Sequence, residues 1–456
     1  MANTYLSRTM GTPTSRKKFT ISVWVKKSAV SSSNAQHIWN GYYSTDNRLV
    51  IYFQASAADT LGLYNVAGGS ATAFLLTTRK FRDTNGWYHI YYAVDTTQST
   101  ASDRIKLYVN GVQETSFSNN TYPSQNADMT FANGYTNYIG KYGGDTSSQF
   151  NGAMSHFYYV DGSVIDIAQF GSTDATTGEW KINTSPTISS YGTNGFLILK
   201  DGNTITDQSP NSNNFSSNGD GVTKTEDNPS NVFATWNVLD SHYFWGAEET
   251  SWATNGNTKA RSGNSQYSSC TATLGASSGK YYWEVKLSAA SNSEKYYHIG
   301  IKSRQDTNTT TALGVKSTDY CYKGHNGQSM NNNSSSVFGD TYQVGDIVGV
   351  AMDLDNNKLY FHKNGTYQNS GVPTSGSTGT GAISLVDAST TNFGFYVPAW
   401  SWNDGSSYGT IETNFGNGYF GTTAVSSAGT NASGIGIFEY DVPTGYTALC
   451  TKGLNL

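Results

Sequence analysis

Apolar and polar residues alternate with a period of two through much of this chain, and two stretches repeat one version of that alternation. Residues 87–111 (WYHIYYAVDTTQSTASDRIKLYVNG) and 345–365 (GDIVGVAMDLDNNKLYFHKNG) each pass from an apolar run through a polar interruption into a Lys-Leu-Tyr strand closed by Asn-Gly. Asn and Gly both tolerate positive φ, so Asn-Gly after an alternating strand is the strongest short-range hairpin signal. Each half of the chain is therefore expected to hold a central antiparallel hairpin. Further strand-like runs fall at 19–26, 49–54, 61–65, 138–141, 153–160 and 195–200 in the first half. In the second half they fall at 280–287, 298–302, 391–396 and 438–440. Helical periodicity is confined to 164–170, one or two turns at most. Short strands separated by Gly, Asn, Ser and Asp clusters predict an all-β fold of two tandem antiparallel β-sandwiches of jelly-roll type.

The same alternation says which side chains face inward. In 347–354, Val348, Val350, Met352 and Leu354 share one face, and Gly349, Ala351 and Asp353 the other. Small residues on that second face predict a further layer over it. In 104–110, Ile105, Leu107 and Val109 point in while Arg104, Lys106 and Tyr108 point out, which predicts one wet face. The polar stretch 207–231, with two of the eight prolines, reads as a linker between domains at 1–206 and 232–456. A second low-complexity stretch, 371–381, reads as an exposed loop.

Composition narrows the function classes. Aromatic residues make up 14% of the chain and tyrosine alone numbers 32, whereas charged residues are only 13%, about half the usual share. The surface must then be covered by Ser, Thr, Asn, Gly and Tyr, the chemistry of extracellular β-proteins and adhesive paratopes. Net charge is −5 and the one basic run, Arg16-Lys17-Lys18, reads as a strand start. Without a cationic stripe the main term in nucleic-acid affinity is missing, so that class is excluded. Three cysteines (Cys270, Cys321, Cys450), odd in number and without metal-type spacing, are expected to be free buried thiols. The N-terminus lacks an apolar signal segment and no stretch is long enough to span a bilayer. No membrane partner is expected. A surface suited to the cell exterior on a chain without an export signal points to a protein that leaves its cell by lysis, inside a virus particle.

Several ordered motifs carry resemblances. Gly279-Lys280-Tyr281-Tyr282-Trp283-Glu284-Val285, His298-Ile299-Gly300-Ile301, the run 345–354 and Lys358-Leu359-Tyr360-Phe361 with Asn364-Gly365 resemble the SPRY domain. In that reading Trp283 anchors the core between sheets, Gly300 marks a close backbone approach, and Asp346 and Asp353 sit at turns. The first half is similar to a concanavalin A-like or laminin-G-like lectin domain, through the run 19–26, Trp87-Tyr88-His89, Leu107-Tyr108-Val109-Asn110-Gly111, Tyr138-Ile139-Gly140 and Phe150-Asn151-Gly152-Ala153-Met154. The whole chain, including Arg8-Thr9, Phe233-Ala234-Thr235 and Tyr446-Thr447-Ala448-Leu449-Cys450, resembles structural proteins of tailed bacteriophages. That resemblance implies a position on the exposed surface of the virion, with other capsid or tail proteins as partners and a homo-oligomeric state.

Tests for catalysis come out negative. Retaining glycosidases on related sandwiches need strand carboxylates about 5 Å apart, and no Glu-x-Asp-x-x-Glu pattern exists here. Glu248-Glu249 is an adjacent pair whose members would face opposite ways on a strand, and Glu284 falls on the structural strand beside Trp283. There is no phosphate loop, and the histidines are scattered singly; Cys321 with His325 is too isolated for zinc or a thiol nucleophile. The chain is expected not to be an enzyme and to need no cofactor. Calcium is the one metal with any support, from Asp145 and Asp161 at loop positions.

Sugar recognition needs aromatic platforms with polar groups on exposed loops. Two clusters qualify: Trp39, Tyr42, Tyr43 and Asp46 in the first half, and Trp400, Trp402, Asn403 and Asp404 in the second. The competing reading packs one Trp of each set under its own loop. The expected function is thus a non-enzymatic bacteriophage appendage, fibre or decoration protein that binds host-surface glycans or a protein receptor. A purely structural capsid or tail decoration protein is the alternative, and a polysaccharide depolymerase the third.

Overall fold

A computed structural model describes residues 4–30, 32–56, 58–131, 133–200, 204–242, 253–263, 268–291, 295–304, 312–404 and 407–455. The two Asn-Gly turns set the local geometry. Asn110 and Gly111 have φ of 49° and 76°, and Asn364 and Gly365 of 49° and 86°, so each pair closes a two-residue hairpin between Val109 and Val112 or Lys363 and Thr366. Each Asn also ties in the strand behind it. The His89 amide donates to Asn110 Oδ1 at 2.7 Å, and the Ile347 amide to Asn364 Oδ1 at 2.8 Å. One residue type thus supplies both the positive φ and the cross-strand bond.

The chain forms two compact units, Met1–Lys224 and Thr225–Leu456. Among the described residues, the first has an eight-stranded sheet in the order Phe117–Thr121, Ser70–Lys80, Thr60–Ala67, Asn47–Phe53, Gln36–Ser44, Thr136–Ile139, Tyr5–Thr9, Ser216–Asn218. It faces a six-stranded sheet ordered Phe196–Ile198, Gly152–Asp161, Lys18–Lys27, Tyr88–Asp95, Ile105–Val109, Val112–Glu114. Phe19, Ile21, Val23 and Val25 of the second sheet meet Trp39, Ile51, Leu63 and Leu75 of the first in one apolar core. The second unit pairs a seven-stranded sheet, with Val397–Trp402 between Ser268–Ala272 and Tyr297–Lys302, with a nine-stranded sheet centred on Lys280–Ala290 and Ile347–Asp353. The tandem all-β architecture is as expected.

Several readings of single residues hold. Trp283 is 1% exposed in the second core. A Cβ on Gly300 would lie 1.9 Å from the Tyr320 carbonyl oxygen, so only Gly fits there. The far face of Ile347–Asp353 is covered as predicted: Ala351 packs with Tyr282, Tyr360, Phe438, Val442 and Tyr446. Cys270, Cys321 and Cys450 are buried, and none of the three is in a disulfide.

Other readings need correction. The stretch 207–231 holds the division between the two units, after Lys224, but its first part folds into the first unit. Asp207 is buried and accepts from the amides of Leu197, Ser209 and Asn213 at 2.6–2.9 Å, Phe215 packs on Phe196 at 4.8 Å, and Ser216–Asn218 extends the first sheet. Its polar side chains satisfy backbone groups, which composition cannot distinguish from solvation. The face of Ile105–Val109 expected to be wet is partly covered, since Tyr108 packs with Tyr91, Tyr158, Phe170 and Leu197. The loop 371–381 is exposed or half-buried as expected except at Pro373, whose carbonyl accepts from Tyr446 Oη at 3.0 Å. Finally, the strand placed at 391–396 lies at Val397–Trp402. Pro is unusual inside a central strand, yet this strand contains Pro398 and has partners on both sides.

Candidate functional site

Strand register in the first sheet decides which aromatic residues can meet a ligand. Leu6, Ile139, Trp39, Ile51, Leu63 and Leu75 are directly opposed neighbours across six strands, and all face the core. One residue further along each strand, Ser7, Tyr138, Asn40, Val50, Tyr64 and Phe74 form the parallel row on the outer face. Because successive strand residues alternate faces, Tyr5, Tyr42, Arg48 and Tyr52 belong to the same outer surface.

That surface carries a field of tyrosines around the buried Asn40 and Val50. Tyr64 meets Phe74 edge-on at 5.1 Å, and Tyr142, from the loop after Thr136–Ile139, meets Tyr42 at 5.4 Å. His37 is stacked between Tyr142 at 4.8 Å and Tyr52 at 5.3 Å. Gly143 lets the loop approach: a Cβ there would fall 2.6 Å from Tyr42 Cβ and 2.8 Å from the Tyr138 ring, and the Gly143 amide donates to Asn40 Oδ1 at 2.7 Å. Gly62 likewise leaves room for the Tyr52 ring. Two cations rest on these rings, Arg48 over Tyr64 at 5.6 Å and Lys141 over Tyr5 at 4.5 Å. The rings of Tyr5, Tyr42, Tyr52, Tyr64, Phe74, Tyr138 and Tyr142 are all half-buried, so each keeps an accessible edge or face.

Burial keeps the ring groups of the field neutral. Burial pushes the His37 imidazole down to about 4 against the pull of Asp145, so it is uncharged at neutral pH. Burial also raises the Tyr52 and Tyr142 hydroxyls, with Arg48 opposing this at Tyr142. Burial acts to raise Asp145 too, but the amides of Ser147 and Ser148 and the Ser148 hydroxyl, all at 2.8–2.9 Å, hold it below the ordinary carboxylate range.

The residues singled out in the sequence divide sharply. Tyr42 lies in the field. Tyr43, 67% exposed, leaves it and stacks on Tyr135 at 5.1 Å. Asp46 is exposed in the turn before Asn47–Phe53, and its carbonyl accepts from the Gly69 amide at 3.0 Å. Trp39, Trp400 and Trp402 are fully buried and cannot face a ligand. Trp400 and Trp402 do share a side of one extended strand, but that side is the core, where Trp402 meets Tyr297 edge-on at 4.7 Å. Asn403 and Asp404 are half-buried at the strand's end: the Asn403 amide donates to the Tyr296 carbonyl at 3.0 Å, and Asp404 accepts from the Ser407 hydroxyl.

The calcium candidates are otherwise engaged. Asp161 accepts from the amides of Thr14, Ser15 and Asn194 at 2.8–3.1 Å, so like Asp145 it serves backbone donors rather than a cation. Among the described residues no group of three or more His, Cys, Asp or Glu could hold a metal ion. Glu284 is buried beneath the segment 437–441, and Cys321 is a buried thiol 3.8 Å from His298 Nδ1 whose burial holds it protonated. Glu248 and Glu249 lie outside the described residues.

Arg48, Tyr52, Tyr64, Phe74, Tyr138, Lys141 and Tyr142 were not singled out by sequence reasoning. The signal was present in part, because Arg48 and Tyr52 alternate with Leu49, Ile51 and Phe53, and Thr72, Phe74 and Leu76 with Ala73 and Leu75. Only cross-strand register brings them together.

Residues 2–166 match the concanavalin A-like lectin/glucanases superfamily, and residues 280–385 match the SPRY domain. The first unit is similar to lectins, the second to SPRY domains. Ran-binding proteins 9 and 10 of Danio rerio are each 33% identical over 91 residues, 20% of this chain and 15% of theirs; human Ran-binding protein 9 shows the same identity over 12% of its length. The match thus spans a small part of those relatives. A human SPRY domain structure shares 14% identity at a TM-score of 0.27, covering 38% of this chain and 95% of that one. A heptameric SAP-like pentraxin from Limulus polyphemus shares 14% identity at 0.29, covering 43% and 87%. Together the two family matches indicate a binding or protein-interaction role. These relatives are animal proteins and lend the virion expectation no support.

Proposed function

We propose that this chain is a non-enzymatic adhesion protein whose first unit grips glycans on its tyrosine field. The observation that carries the reading is the half-buried outer-face rings of Tyr138, Tyr64 and Phe74 with Tyr42, Tyr52 and Tyr142 beside them. Aromatic faces take the apolar faces of sugar rings, while tyrosine hydroxyls and amides orient sugar hydroxyls. One such site binds at roughly millimolar Kd, about 4 kcal/mol, so display in many copies, which raises avidity by about 10²–10⁴, suits it. The proposed setting is the surface of a tailed-bacteriophage particle, as a homo-oligomer seated on other virion proteins. The resemblance of the whole chain and its charge-poor, Tyr-rich composition support that setting.

A second reading, structural decoration, draws on one feature of the second unit. Its seven-stranded sheet ends in Ser334–Val337, an exposed uncharged edge strand with Val337 91% exposed, and such edges pair with other chains. The experiment is a bacterial glycan array probed with multivalent full-length protein and with Tyr64→Ala/Tyr142→Ala. Binding that the double variant loses at unchanged thermal stability supports adhesion. A flat array, with antibody labelling that finds the chain enclosed among neighbouring subunits, favours decoration.

A further inference from the structure

The cations of the tyrosine field differ in their partners from six others of the first unit. Arg16, Lys18, Lys27, Arg82, Lys106 and Lys181 each have a carboxylate within 3.7 Å. Among the described residues Arg48 and Lys141 have none; each rests on a tyrosine ring instead. The nearby acid, Asp145, is committed to Ser147 and Ser148. In a chain of net charge −5, this face therefore offers two cations with no carboxylate in contact, each with its guanidinium or ammonium head held at a ring, beside one ionised acid, Asp145, whose oxygens are already taken.

We propose that the ligand of this face is an acidic polysaccharide, with its carboxylates met by Arg48 and Lys141 and its sugar rings by the tyrosines between them. The inference rests on the glycan reading above and adds the charge of the ligand. Tyr5 and Tyr64, which carry the two cations, lie four strands apart in the sheet, roughly 19 Å at about 4.8 Å per strand. One carboxylate cannot bridge that span, so the two charges meet separate acidic units of one chain. Guanidinium presents a planar fork to a carboxylate, and its position over a ring is compatible with accepting one at its edge.

The test uses full-length protein, with biolayer interferometry against immobilised polygalacturonate, the same polymer after carboxyl reduction, dextran sulfate and poly-L-glutamate. The expected result is binding of polygalacturonate about tenfold tighter than of the reduced polymer, lost as salt rises from about 0.05 to about 0.5 M. Arg48→Gln and Lys141→Gln each lower that affinity severalfold. The double variant binds both polymers alike, at an unchanged thermal midpoint. Dextran sulfate bound through the same two residues supports the site with sulfate as the acid. Equal binding of the acidic and reduced polymers overturns the charge assignment while leaving the glycan reading intact. Binding to neither polymer overturns both. Poly-L-glutamate bound as tightly as polygalacturonate overturns the polysaccharide in favour of an acidic peptide.

Discussion

Replacing Glu284 by Gln should remove a pH dependence from the second unit. Glu284 lies on Lys280–Ala290, and its carboxylate holds the segment that covers the outer face of the sheet. Its oxygens accept from the amides of Glu439 and Tyr440 at 2.9 and 2.8 Å, from Tyr282 Oη at 2.9 Å and from Asn414 Nδ2 at 3.4 Å. Burial pushes the acid up to about 7 from its ordinary 4.5, against the pull of those four donors. A folded value above the unfolded one means the stabilisation is complete below 4.5 and is lost as pH rises through about 7. At 1.36 kcal/mol per pH unit the interval amounts to about 3 kcal/mol. Gln is neutral throughout, so the stability of the wild type relative to Glu284→Gln should fall by that amount between pH 4.5 and 8. At low pH the variant should be the less stable by about 1–3 kcal/mol, because its amide nitrogen turns donors toward donors. Urea unfolding followed by tryptophan fluorescence at several pH values measures the difference. Hydrogen exchange at the Glu439 and Tyr440 amides localises it. A difference that stays flat from pH 4.5 to 8 would refute the reasoning.

Asp59→Asn should cost about 3–5 kcal/mol by stranding Lys27. Both members of that pair are buried at 2.9 Å, and Asn tolerates the φ of 47° at this position, so a thermal melt reports the lost charge rather than backbone strain. Trp402→Ala should lower stability by about 3–5 kcal/mol through a core cavity, with glycan binding per folded molecule unchanged; selective loss of binding would contradict its burial. Gly349→Ala should destabilise by about 1–3 kcal/mol in urea unfolding, since a Cβ would lie 1.8 Å from His362 Nε2 and displace a ring bonded to Tyr282.

Much of the architecture was legible because it is local. Asn110-Gly111 and Asn364-Gly365 announce their hairpins through backbone preference alone, and Val348, Val350 and Met352 announce an inward face through alternation. Ala351 and Gly349 even foretold a covering layer, because small side chains leave room for one. What sequence could not supply was the sign of a face. Trp400 and Trp402 were rightly placed on one side of a strand, yet nothing local says whether that side meets solvent or Tyr297. Trp39 and Tyr42 stand three residues apart and end on opposite faces of one sheet.

The tyrosine field is the clearest case of a feature only tertiary structure decided. Its members come from separate strands and one loop, spread from Tyr5 to Tyr142, and each alone is an ordinary outward residue. Register across the strands sets them side by side, and register is a property of paired chains rather than of any one segment. Composition limited how much charge the surface could carry. Which tyrosines share a surface, and which cations rest on rings there rather than on carboxylates, depended on how the strands aligned.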